Sequence, residues 1–123
     1  MTEDDPDIVL EVVFYKTDAG NESVREWLKD LPKEDRKSIG EDIKTAQYGW
    51  PLGMPLVRKI ESKLWEIRSR ITNGIARVLF TVIEKKMVLL HGFVKKSQKT
   101  PPSDLDTARK RLKDLELEDD NET

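Results

Sequence analysis

The 123-residue chain contains no cysteine and a single histidine, His91. Disulfide staples, thiol nucleophiles and thiolate metal sites are thereby excluded. One imidazole is too few for the usual protein zinc site. No apolar run approaches the ~20 residues that a bilayer-spanning helix needs. Met1–Leu10 carries acids where a signal peptide carries cations. These shortages point to a cytoplasmic protein with no cofactor, no structural metal and no membrane partner. The length suits one domain with a modest core. It is expected to span 1–123, with its core at about 8–115 between acidic flexible termini 1–7 and 118–123.

Charge is plentiful but unevenly placed. The formal net charge is −2, yet Met54–Pro101 holds eleven Lys/Arg and only three Asp/Glu, leaving the remainder strongly acidic. A polyanion responds to the local field and not to the average. The plain alternative is a solvated sheet face with acidic helices elsewhere.

Ile8–Tyr15 (IVLEVVFY) is short, β-branched and aromatic, and predicts a strand. Thr17–Asn21 is a turn by composition. Ser23 and Glu26 have capping-box spacing, and Val24, Trp27, Leu28 and Leu31 make one helical stripe. Pro32 separates that helix from a second over Lys33–Tyr48, with Ile39, Ile43 and Ala46 inward. Trp50–Pro55 (WPLGMP) is a loop. Leu64–Arg70, Ile75–Ile83 and Met87–Lys95 predict three strands, joined at Thr72-Asn73-Gly74 and Glu84-Lys85-Lys86. Beyond Pro101-Pro102, Ser103 and Asp106 can cap a last helix with Leu105, Ala108, Leu112 and Leu115 on one face. The order β-α-α-β-β-β-α describes an α+β domain: a small antiparallel sheet, two N-terminal helices on one face and a C-terminal helix.

Alternation along the strands separates two rows. Ala76, Val78, Phe80 and Val82 face the helices, so Arg77 points the other way. In the last strand Val88, Leu90, Gly92 and Val94 are expected inward, with Leu89, His91, Phe93 and Lys95 outward. Glu66, Arg68 and Arg70 share a row. The simplest arrangement puts Glu66, Arg68, Arg70, Arg77, His91, Phe93 and Lys95 on one concave surface, rimmed by Lys96, Gln98 and Lys99.

That set suits RNA. Arginine and lysine meet phosphates, and Phe93 and His91 offer flat faces to unstacked bases. RNA carries its own nucleophile, the 2′-hydroxyl, so cleavage needs a base, an acid and cations around the phosphorane, without a metal. Glu66, His91 or a lysine perturbed by neighbouring cations are the proton-transfer candidates. Structural readings stand beside these: His91 as a hydrogen-bonded strand residue, Phe93 as cover for the last helix, Glu66 as a salt-bridge partner.

The segments LWEIRSR, ARVLF and HGFVKKSQKTP, with VREWLKDLP in weaker support, resemble the RelE/ParE superfamily of type II toxins, in its HigB-like phage-derived branch. The likeness covers Val9 to about Leu115. It implies the RelE-like fold and a ribosome-dependent mRNA endonuclease that inhibits translation. The implied partners are the ribosome, its message and a helix-turn-helix antitoxin, in an oligomeric complex. By position, the nuclease cations correspond to Arg68, Arg77 and the Lys95/Lys96/Lys99 cluster. Glu66 falls where some relatives have a lysine, and Leu105 lies near the place of a tyrosine in some RelE toxins. A ParE-like topoisomerase poison, and a non-catalytic remnant that only binds an antitoxin, are the competing functions.

Overall fold

The computed structural model describes residues 9–95 and 99–121. A five-stranded mixed sheet carries two helices on one face and one on the other. In chain order the elements are β1 (Glu11–Phe14), α1 (Ser23–Lys29), α2 (Lys33–Gly49), β2 (Val57–Glu61), β3 (Leu64–Ile71), β4 (Gly74–Ile83), β5 (Lys86–Lys95) and α3 (Pro102–Asn121). The strand order is β1-β5-β4-β3-β2. Four strands form an antiparallel meander, and β1 joins β5 in parallel, with Glu11 beside Lys86. The α+β class and helix placement agree with expectation, with one strand more and one parallel pairing.

The extra strand, β2, was hidden by its composition. VRKIE has adjacent charges in its middle, and its turn to β3 uses Ser62 and Lys63 instead of glycine or asparagine. Lys63 adopts φ +64° there, a left-handed conformation that costs a non-glycine residue about 1 kcal/mol or more. The expected Ser23 capping box is not formed: Ser23 is already helical, behind an N-cap at Glu22 with no side-chain cap bond. α3 begins with Pro102, whose missing N–H is harmless in a first turn. It continues to Asn121, past the expected end of the folded core. At 1.5 Å per residue, its far end lies roughly 30 Å from Pro102.

Two apolar clusters flank the sheet. On the α1/α2 side, Val24, Ile39, Ile43 and Ala46 pack on Ile67, Val78, Phe80, Met87 and Leu89. On the α3 side, Ala108 and Leu112 pack on Leu64, Leu79, Val88, Leu90 and Phe93. The alternation expected in β5 therefore fails for its first half, because a bulge intervenes. Leu79 pairs with His91 and Phe80 with Leu89, leaving Leu90 as an extra residue. Met87 and Leu89 consequently face α1 and α2, whereas Val88 and Leu90 face α3. Beyond the bulge, Gly92 points at α1 and His91 and Phe93 at α3, as expected. Among the described residues, no helix is long and apolar enough to cross a membrane.

A pair of hydrogen bonds fixes the end of the sheet where β3 turns into β4. Asp35, buried in the first turn of α2, accepts hydrogen bonds from the Thr72 N–H (3.1 Å) and hydroxyl (2.9 Å). Trp50 meets Trp65 edge-on, with ring centroids 5.0 Å apart, and anchors the loop leading into β2. At the opposite side of the sheet the Trp27 ring lies over Gly92, where any Cβ would overlap ring carbons. Gly92→Ala is expected to lower stability by about 1–3 kcal/mol through this overpacking. Asp35→Ala should cost about 1–3 kcal/mol by removing the acceptor of two partly buried bonds. Urea denaturation with circular dichroism checks both.

Candidate functional site

The predicted polar row exists, because pairing register aligns side chains that alternation puts on one face. Arg58 of β2 pairs with Glu66 of β3, Glu66 with Leu79 of β4, and Leu79 with His91 of β5. The next row is Arg68, Arg77 and Phe93. A third is Arg70, Ile75 and Lys95. Sequence reasoning therefore placed these side chains on the correct face.

That face is not a single open surface. α3 covers its middle, burying Phe93 and placing Asp104 Oδ1 2.7 Å from His91 Nε2. His91 and Phe93 stack with centroids 5.7 Å apart. Phe93 is thus packing for α3, not an open platform for a base. Polar contacts fasten α3 on both flanks: Arg109 to Glu61 at 2.7 Å, Arg111 Nη1 to the Leu90 carbonyl at 2.7 Å, and the Tyr15 hydroxyl to Asp114 at 3.2 Å. What stays open is the end of the sheet beyond the start of α3. Arg70, Lys95 and Lys99 are exposed there, and the Arg68 side chain retains 16% of its surface. Lys96 and Gln98 lie outside the described residues.

Beneath this open end sits a buried ionic hub. Glu66 and Arg77 are both fully buried. Arg58 Nη2 lies 3.3 Å from Glu66 Oε1, Arg77 Nη1 3.6 Å from Oε2, and Arg68 Nε 4.0 Å from Oε1. The Thr100 hydroxyl donates to Glu66 Oε2 at 3.0 Å and accepts from Arg58 Nη2 at 3.3 Å. Burial pulls the Arg77 guanidinium below its ordinary value, and Arg68 and Arg58 add to this, while the Glu66 carboxylate opposes it. Three guanidiniums share one carboxylate, so the hub carries surplus positive charge. A low-dielectric setting strengthens its reach toward an incoming anion.

Thr100 also ties the segment between β5 and α3 to the sheet. Neither Thr100 nor Arg58 figured among the sequence candidates. Arg58 would have been found had β2 been recognised, since the register then puts it opposite Glu66. Thr100 carried no signal beyond its neighbouring prolines. Asp104, the partner of His91, was hidden because only docking of α3 brings it there.

A notch of about 310 Å³ opens beside the hub, lined by Asp42, Pro55, Leu56, Arg68, Arg70 and Ile75. Larger hollows, of about 670 and 510 Å³, lie near Tyr15 at the β1 edge, away from the Glu66 hub, and set their cations (Lys16, Lys86, Lys110 and Arg111) beside Asp18. The far end of α3 is carried away from Thr100 by the length of the helix, so Glu118 does not cover the basic end.

Removing the hub's carboxylate charge tests its structural weight. Glu66→Gln is expected to cost about 3–5 kcal/mol, the penalty for breaking a buried pair while leaving the opposing charges in place. Thr100→Val, which deletes a neutral donor, should cost only about 1–2 kcal/mol. Equal losses in urea denaturation would mean that the charges are not coupled.

The described geometry accords with comparison to known proteins. No curated protein sequence matches the chain. A family model described as "Phage derived protein Gp49-like (DUF891)" matches residues 26–113, from within α1 to within α3, which is well over half of the chain. With that match and a fold consistent with the small RelE-like architecture, the chain belongs to the Gp49-like family of phage-derived proteins, a family of RelE/ParE-like toxins.

Proposed function

We propose that the chain is the toxin of a HigB-like toxin–antitoxin pair and cleaves messenger RNA on the translating ribosome. The observation that carries this reading is the positively charged hub that reaches solvent through Arg68 at the one open end of the sheet face. A phosphodiester resting against Arg68 would meet Arg70, Lys95 and Lys99 along its flanking phosphates. The 2′-hydroxyl oxygen attacks phosphorus and the bond to the 5′ oxygen breaks, leaving a cyclic phosphate and a 5′-hydroxyl. One proton leaves the 2′-hydroxyl and another reaches the departing oxygen. Positive charge around the equatorial oxygens stabilises the phosphorane.

Burial divides the labour among the sequence candidates. Glu66 and Arg77 have no exposed surface, so they act as positioning residues that hold Arg68. Of the proton-transfer candidates, His91 keeps some solvent access and is oriented by Asp104, the arrangement that suits a general base or acid. A helix-turn-helix antitoxin of acidic or mixed charge is the partner that this basic end fits, in a cytoplasmic complex of several chains.

Two observations favour a second reading. The cover provided by α3 and the complete burial of Arg77 also suit a non-catalytic scaffold, whether a topoisomerase poison or an antitoxin-binding remnant. Expression in bacteria, followed by mapping of mRNA 5′ ends, separates the three. Arg68→Ala is the proper control, because its side chain reaches solvent whereas truncating Arg77 would disrupt the hub. The nuclease reading expects codon-phased cuts that Arg68→Ala reduces by about 10²–10³-fold, the usual weight of a transition-state donor. Growth arrest with DNA damage and intact mRNA would support the poison, and normal growth the remnant.

A further inference from the structure

The notch beside the hub has a composition that phosphate binding does not explain. We infer that it is a nucleobase subsite, and that Asp42 selects guanine there. This inference rests on the RNA-cleaving reading and adds a specificity determinant to it.

The notch exists because β2 stops short. Its pairing with β3 ends where the Arg68 N–H donates to the Leu56 carbonyl at 2.9 Å. Pro55, which has no N–H to offer a ladder, carries the chain away. Backbone groups of alternate strand residues point to the same side. The N–H and C=O of Arg70, two residues after Arg68, therefore face the gap that β2 leaves. Asp35 holds one side of this gap through the Thr72 turn.

Its size and lining suit one base. A volume of about 310 Å³ is at the lower end for small-ligand pockets and excludes a duplex or a folded partner. Pro55, Leu56 and Ile75 supply apolar contact for a ring face. Arg68 and Arg70 supply planar cations that stack on bases or hold their phosphates.

Asp42 is the discriminating element. It projects from the flank of α2, is half-buried, and forms no hydrogen bond or ion pair among the described residues. An anion in the wall of a phosphate site would oppose binding, so its use lies with a neutral donor. Guanine offers N1–H and the N2 amino group side by side, matching the two oxygens of a carboxylate. Adenine and cytosine offer one amino group on that edge. Uracil flanks its single N–H with carbonyl oxygens, which a carboxylate repels.

The test uses fluorescently labelled 2′-O-methyl hexanucleotides, which lack the nucleophilic hydroxyl and cannot be cut. A uridine hexamer is compared with three others carrying one central guanosine, adenosine or cytidine, by anisotropy at a single fixed salt concentration. The intact chain should bind the guanosine oligomer about tenfold more tightly than the uridine hexamer, at the modest end of bidentate base readout. Asp42→Ala and Asp42→Asn should bring the two within about twofold, with unchanged circular dichroism and melting temperature. Equal binding of all four oligomers, or a guanosine preference that survives Asp42→Ala, overturns the subsite while leaving the RNA reading intact. Failure to bind any oligomer even at low salt also overturns the subsite, while the ribosome-dependent RNA reading is decided separately by the mapping of mRNA 5′ ends.

Discussion

A carboxylate with no access to water holds the basic end of this protein together. Glu66 is drawn into the sheet between Arg58, Arg68 and Arg77, and each of those guanidiniums lies within 4.0 Å of it. Alone, any of these groups would be expensive to bury; together they form a network in which the cations outnumber the anion. The imbalance is informative. A purely structural ion cluster tends toward neutrality, whereas this one leaves positive potential that emerges at Arg68. Thr100 adds a neutral link from the same carboxylate to the segment entering α3, so the position of the last helix and the geometry of the cations are set at one point.

Much of this was legible in the sequence, because the physics of alternation is local. Arg68, Arg77 and Lys95 could be assigned to one face from the apolar residues opposite them, and the register placed them in adjacent rows. The bulge at Leu90 was not legible. It inserts a residue without any glycine or proline to mark it, and it reverses Val88, Leu89 and Leu90 while leaving His91, Gly92, Phe93 and Lys95 correct; Val94, expected inward, is exposed near the strand end. β2 escaped for a related reason: an edge strand answers to one neighbour only, so its sequence is free to carry charge. Exposure was the least readable property. Period two says which way Phe93 and Arg77 point, but not that a helix 25 residues after Arg77 begins the element covering that direction. Likewise, Asp42 and Arg70 lie in different elements, and only the early departure of β2 makes them neighbours.

The charge distribution also gains a physical interpretation. Acids outnumber bases in α3 and in the stretch up to Glu11, α2 is balanced, and cations outnumber acids across β2 to β5 and just beyond. α3 uses opposite charges along its flanks to grip the sheet, so part of its acidity is spent internally. The remaining asymmetry makes the molecule an electrostatic dipole, with one end suited to a polyanion and the rest repelled by it. Such a molecule can be acidic overall and still approach RNA in one orientation.

The parallel pairing of β1 with β5 has a consequence for biosynthesis. Glu11 emerges from the ribosome roughly 75 residues before its partner Lys86. β1 has no other strand neighbour among the described residues, and long-range parallel pairing is among the slowest steps in forming a sheet. The first strand made must therefore wait for the last. The basic end shares this delay, since Lys95, Thr100 and the start of α3 are also late products. A growing chain consequently carries its arginines in an unassembled state until Lys95, Thr100 and the start of α3 have been made.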